Sequence, residues 1–314
     1  VVERTADDII LEKVSVYFQV PTGFVRAVDQ VSAVFPGGQI TGLIGESGCG
    51  KSVLGLAILG LLPAYAQIRG YIFYRDINIA QASLRELRAL RGREIGLIPQ
   101  NPGESLNPVR RIGVQLEEAL RGVEGNRGAR RQKAESLLSR FGFEDPKRIM
   151  AAYPFELSGG MQQRVLCALG ISCTPRWVLA DEPTKGLDLA LREQVYENLL
   201  RVKEQGVEGM LIITHDLVLA ETLCDGVAVM YSGEIVEWGQ NSLREPLHPY
   251  TRAFLESSPG KGMKPLPGSP PAPWDNPPGC KFAPRCTQCT ARCVAEKPEV
   301  YVRAGKMVRC FLYA

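Results

Sequence analysis

A chain of 314 residues, 45% hydrophobic and 23% charged, has the composition of a globular protein able to bury a substantial core. Its formal net charge of +3 is too mild to point to nucleic acid. No apolar run reaches the roughly 18 residues of a membrane span, and the opening VVERTADD is acidic where a secretory signal is basic and then apolar. Any membrane role is therefore expected to come through partners.

Residues 9–20 alternate apolar and polar side chains and predict a strand, with PTG as the turn that follows. QVSAVF predicts a second strand ending at PGG. QITGLIG reads as a short apolar strand feeding ESGCGKS and then a long helix, the context a phosphate loop needs. From Ser83 to about Phe143 the chain reads as mostly helical, apart from the strand EIGLIPQ and the loop NPGESLNP. WVLADEP, MLIITHD and GVAVMYSGEIVEWG predict further strands, and helix–strand alternation of this kind predicts an α/β core. From Ser257 the composition turns to Pro and Gly, predicting a semi-rigid linker or wrapped arm before a Cys-rich tail. With no internal repeat, one nucleotide half is expected.

The chemistry sits in three segments. GESGCGKS, from Gly45 through Glu46, Ser47, Gly48, Cys49, Gly50 and Lys51 to Ser52, lets successive N–H groups point at phosphate oxygens. Lys51 adds charge at the β/γ phosphates and Ser52 a hydroxyl for Mg²⁺, while the following helix aims its positive end at the same place. WVLADEP ends a buried strand in Asp181 and Glu182: Asp181 suits Mg²⁺ and Glu182 an attacking water. Two acids after an apolar strand are ordinarily a solvated strand end; the phosphate loop changes that reading. LSGGMQQR (Leu157–Arg164) places Ser158, Gly159 and Gly160 at a helix start, a second anion site. A single ATP has no use for two such sites in one monomer.

With these motifs in this order, the sequence closely resembles the ATP-binding subunits of ABC transporters. The resemblance implies a P-loop ATPase core with an antiparallel β subdomain and a helical signature subdomain, about residues 101–172. It also implies that LSGG completes the ATP site of an opposing subunit in a head-to-tail dimer. At matching positions it implies that Gln100 senses Mg²⁺ and water, that His215 contacts the γ-phosphate, and that Asp188 communicates across the dimer. Phe18 is expected to stack on adenine, since Val14, Val16 and Phe18 should share a strand face; Tyr17 is the second choice and core packing the alternative. Cys49 stands where Ser or Thr is commoner, and its thiol suggests an oxidation-sensitive site. Lys185 in DEPTKGLD replaces a usual small residue.

NPGESLNPV, LHPYTRAFLESSP from Leu247 and GCKFAPRC resemble the dipeptide/oligopeptide/nickel importers of that family. This implies an ATPase domain over residues 1–256 and a Cys-rich arm over 257–314. It also implies a second, related ATPase subunit, two permeases and an extracytoplasmic binding protein, with the chain peripheral at the cytoplasmic face. The alternative is a soluble ABC ATPase remodelling nucleic acid or ribosomes, although neither a coiled-coil insertion nor an aromatic-laced basic stripe is present.

Of nine cysteines, Cys49, Cys167, Cys173 and Cys224 are scattered, while Cys280, Cys286, Cys289, Cys293 and Cys310 crowd the end. In a nucleotide-handling protein the cluster predicts a metal site rather than disulfides, either Zn²⁺ or [4Fe–4S]. Spacing alone selects Cys280, Cys286, Cys289 and Cys293. The family pattern implies Cys280, Cys286, Cys293 and Cys310, with Cys289 the extra one. The latter set is preferred because Cys310 is expected within a strand, MVRCFLY, that folds back onto the tail.

Overall fold

The computed structural model describes residues 5–21, 23–240, 242–258 and 262–314. Residues 1–4 of the acidic opening, residue 22 of the PTG turn and residues 259–261 of the Pro/Gly stretch lie outside the described residues. The chain forms two compact units, one from residues 1–83 with 212–314 and the other from 84–211.

In chain order the first unit opens with β1 (Ile9–Val20), β2 (Gly23–Phe35), β3 (Ile40–Ile44), α1 (Lys51–Ile58), β4 (Ala66–Tyr74) and β5 (Ile77–Asn78). The second holds α2 (Leu84–Leu90), β6 (Ile95–Ile98), α3 (Pro102–Ser105), α4 (Ile112–Ala119), α5 (Arg127–Arg140) and α6 (Pro146–Ala151). It continues with α7 (Gly159–Gly170), β7 (Trp177–Asp181) and α8 (Leu189–Glu204), and β8 (Gly209–Thr214) carries the chain back to the first unit. There follow α9 (Leu217–Leu223), β9 (Gly226–Tyr231), β10 (Glu234–Gly239), α10 (Pro249–Glu256), α11 (Ala291–Ala295), β11 (Tyr301–Arg303) and β12 (Lys306–Val308).

Two sheets organise the first unit. One is antiparallel, in the order β2-β1-β4-β5. In the other, β3 runs parallel to β9, β9 antiparallel to β10, and β10 antiparallel to β12, which pairs with β11. Every residue of β3 and of β9 is buried, the pattern of a strand covered on both faces. In the second unit β6 and β7 are parallel, from Ile95 opposite Trp177 to Ile98 opposite Ala180. Helices α4 to α7 bury Ile112, Leu116, Leu138, Val165 and Leu166. The α/β expectation is met.

Four details differ from the sequence reading. The helix after the phosphate loop is short, eight residues, ending ahead of Gly60 and Pro63. The loop NPGESLNP contains α3, whose first turn is capped by the Asn101 side chain accepting from the Gly103 N–H at 3.0 Å. In β1, Val14, Ser15 and Val16 are buried in succession, because register shifts against β2 between Val14 and Val16 and again before Tyr17 break the alternation. Finally, Cys310 is not within a strand: β12 ends at Val308, and Cys310 begins a short 3-10 turn over Phe311–Tyr313. Residues 262–314 cluster with the first unit, and Phe282 enters its core beside Tyr231, Tyr250 and Ile44.

Candidate functional site

The phosphate loop joins the end of β3 to the start of α1. Gly50 sits at the helix N-terminus with φ 104°, and a Cβ there would lie 2.2 Å from the Ala27 carbonyl oxygen, so no other residue fits. The bare glycine is what lets the loop pass this close to β2. Lys51 is 5% exposed, and its Nζ donates to the carbonyls of Gly45 at 2.8 Å and Glu46 at 3.0 Å. The ammonium is thus folded into the loop rather than extended into water. Cys49 lies beside it, Sγ 3.9 Å from Nζ, and is buried. Burial pushes the Cys49 thiol above its ordinary value despite the Lys51 charge. Burial and the raised pKa both disfavour the thiolate that oxidants attack, which counts against the oxidation sensitivity expected at Cys49.

The first unit also carries His215 and the aromatic candidates. His215 follows β8 and is exposed. Its neighbour Asp216 fixes the backbone there, its N–H donating to Thr214 Oγ1 at 2.9 Å and its carboxylate capping α9 through the Val218 and Leu219 N–H groups. Phe18 is half-buried, its ring 6.0 Å from that of the exposed Tyr65. Tyr17 instead lies between two guanidinium groups, Arg26 at 5.3 Å and Arg69 at 5.2 Å from its ring centre.

The remaining candidates belong to the second unit. Gln100 follows β6, half-buried. Ser158 caps α7, its Oγ accepting from the Met161 N–H at 3.4 Å, and Ser158 and Gly159 are exposed. Glu182 follows β7, 6% exposed, with a left-handed φ of 47°. Holding a non-glycine residue there costs about 1–3 kcal/mol, a cost typical of functional positions. Asp188 caps α8 by accepting from the Leu191 N–H at 2.9 Å. The Lys185 side chain is exposed, and nothing in the structure explains the substitution.

All nine cysteines are free thiols. Cys280, Cys286, Cys293 and Cys310 line one cavity of about 180 Å³, with His248 and Phe311 on its wall. Cys289 is exposed, lies outside that lining and donates to the Thr290 carbonyl at 3.6 Å. Burial depresses His248 to about 3, so the imidazole is neutral; its Nδ1 accepts from the Tyr250 N–H at 3.0 Å. Among the described residues no group of three or more His, Cys, Asp or Glu is gathered tightly enough for one metal ion.

Residues with no assigned role in the sequence reading surround the loop. The Glu46 N–H donates to the Tyr250 hydroxyl at 3.0 Å, and its carboxylate accepts from Arg285 at 2.8 and 3.0 Å. Both partners lie in segments that served only as family markers, LHPYTR and GCKFAPRC. Spacing of more than two hundred residues left no local signal for either contact.

A family model described as "ABC transporter" matches residues 28–185, and one described as "Oligopeptide/dipeptide transporter, C-terminal region" matches residues 236–293. The chain belongs to the oligopeptide/dipeptide branch of the ABC transporter ATP-binding subunits. This ABC ATPase is 38% identical over 310 residues to the dipeptide transport ATP-binding protein DppD of Escherichia coli, covering 96% of this chain and 95% of that protein. It is 39% identical over 300 residues to the oligopeptide transport ATP-binding protein AppD of Bacillus subtilis, covering 92% of each. Its fold is similar to the dimeric, ADP- and phosphate-bound ATP-binding cassette MJ0796, with TM-score 0.65 and 25% identity over 74% of this chain and 98% of that one. This subunit is accordingly an ATP-hydrolysing enzyme of a transporter, and the nucleic-acid-remodelling alternative is set aside by the match of residues 236–293. Among the described residues no helix is long and apolar enough to cross a membrane.

Proposed function

We propose that this chain hydrolyses MgATP in a head-to-tail pair with a second, related ATPase subunit and so powers uptake of di- or oligopeptides through two permeases. It works peripherally at the cytoplasmic face, with an extracytoplasmic binding protein delivering the cargo. The observation that carries the reading is Lys51, a buried ammonium held inside a glycine loop at a helix start, a cradle shaped for phosphate oxygens. Peptide cargo is favoured over nickel by the dipeptide and oligopeptide transport proteins the chain resembles.

The loop from Gly45 to Ser52 binds the phosphates, Lys51 compensates their charge and Phe18 stacks on adenine. Ser52, Gln100 and Asp181 would hold Mg²⁺, which when bound neutralises charge on the β/γ oxygens. Glu182 polarises the attacking water, and His215 donates to the γ-phosphate as charge develops. The exposed Ser158 and Gly159, with the half-buried Gly160, complete the partner's site, with Asp188 at the same seam. A Glu182→Gln variant is expected to keep MgATP affinity while phosphate release falls by about 10²–10⁴-fold, the usual weight of a general base. Equal turnover in the two proteins would remove Glu182 from this role.

Residues 257–314 are read as a metal-pinned arm on the ATPase domain, with Cys280, Cys286, Cys293 and Cys310 holding a [4Fe–4S] cluster. These four thiols share one cavity of about 180 Å³ that Cys289 does not line. Zn²⁺, with thiolates about 2.3 Å from the metal, is the second reading. The cluster would staple a segment too poor in apolar residues to hold itself together.

A further inference from the structure

Glu46 is the second residue of the phosphate loop, and its carboxylate sets a negative charge in a segment built to receive anions. Uncompensated, that charge would oppose phosphate binding. Arg285, from the turn Ala283–Arg285 just before Cys286, meets it with two bonds of 2.8 and 3.0 Å. The Arg285 side chain is 3% exposed and that of Glu46 27%, so the pair is poorly screened on one side and reaches solvent on the other. The guanidinium is itself fixed. Its Nε donates to the Pro267 carbonyl at 2.8 Å, and it lies 5.7 Å from the centre of the Tyr231 ring. Tyr231 packs 4.5 Å from Tyr250, whose hydroxyl accepts from the Glu46 N–H. Both the backbone and the side chain of Glu46 are therefore held by groups from the C-terminal third of the chain. The chain leading into that turn is braced by the Cys280 N–H, which donates to the Cys293 carbonyl at 2.8 Å, a close approach that the bare Gly279 allows.

We propose that Arg285 is a positioning residue of the ATP site: acting through Glu46, it neutralises that carboxylate so that the loop sets no uncompensated negative charge against phosphate. The inference rests on reading residues 45–52 as the phosphate loop. Arg285 takes no part in bond making; it acts through Glu46. Charge and packing predict opposite signs for the partner. If Arg285 merely packs, removing either residue damages the site. If it compensates charge, removing Arg285 weakens nucleotide binding and neutralising Glu46 strengthens it.

Isothermal titration of MgADP and MgATP into the full-length chain tests this. Arg285→Ala is expected to raise Kd roughly tenfold, equivalent to about 1.4 kcal/mol, with Arg285→Lys recovering part of the loss. Adding Glu46→Gln to Arg285→Ala is expected to restore Kd to within about twofold of the parent, and Glu46→Gln alone to bind more tightly than the parent. Unchanged binding in Arg285→Ala, or failure of Glu46→Gln to restore it, would overturn the proposal. Should Arg285→Ala not fold, Glu46→Gln alone decides: tighter binding supports it, and equal or weaker binding overturns it. Lys51→Ala separates the two readings, because undiminished binding there would refute the phosphate loop itself.

Discussion

Three cations converge on the buried carboxylate of Asp29: Lys281 at 2.8 Å, Arg26 at 3.1 Å and Lys297 at 3.4 Å. Burial works to raise its pKa, but the hydrogen bond and charge of Lys281, with Lys297 and Arg26 behind it, bring it from an ordinary 3.8 down to about 2. A carboxyl whose folded pKa lies below its unfolded one stabilises the fold above the unfolded value and stops doing so as pH falls through the folded one. The stabilisation, roughly 2 kcal/mol, is therefore present at neutral pH and lost between about pH 4 and pH 2. Denaturant titrations at successive pH values should show this loss in the parent and its absence in Asp29→Asn. Parallel pH dependence of the two proteins would show that Asp29 is not the group responsible. Lys281 adjoins Cys280, so this contact also ties the cysteine segment to β2, as Arg285 ties it to the phosphate loop.

At the scale of elements, the cysteine tail gives the sharpest choice. The cavity wall takes Cys310 from the turn after β12 and leaves Cys289 in solvent. Purified anaerobically, the protein is expected to absorb near ~400 nm and to contain iron and sulfide. Cys310→Ser should lose that absorbance and Cys289→Ser keep it; the reverse would exchange the two ligands, and a colourless protein with stoichiometric zinc would rule the cluster out. Elements carrying a motif were legible because strand, loop and helix signals coincide there: β3 and β7 are short, mainly apolar runs, the first leading into Gly45 and the second ending in Asp181. Other elements carry weaker local signals. In β4 the buried Ile72 and Tyr74 alternate with more exposed residues, a period-two signal present in AQIRGYIFY but interrupted by Gly70. The bulges of β1 and the position of Cys310 after β12 arise from pairing with distant strands, which spacing along the chain does not encode.

For the whole molecule, the family motifs made the ATPase legible while the bonds between its first and last thirds were not. Tyr250 and Arg285 approach Glu46 across separations of 204 and 239 residues. Such contacts exist only once the C-terminal segment has packed beside Ile44 and Tyr231. They make the tail a structural neighbour of the phosphate loop, so a change in the tail should reach nucleotide binding. The function itself is tested most directly by ATP hydrolysis in the complete transporter, with its permeases and second ATPase subunit in lipid nanodiscs. Binding protein loaded with a di- or oligopeptide should stimulate phosphate release several-fold over the unloaded protein, and nickel should not. Stimulation by nickel alone, or turnover indifferent to peptide, would contradict the account.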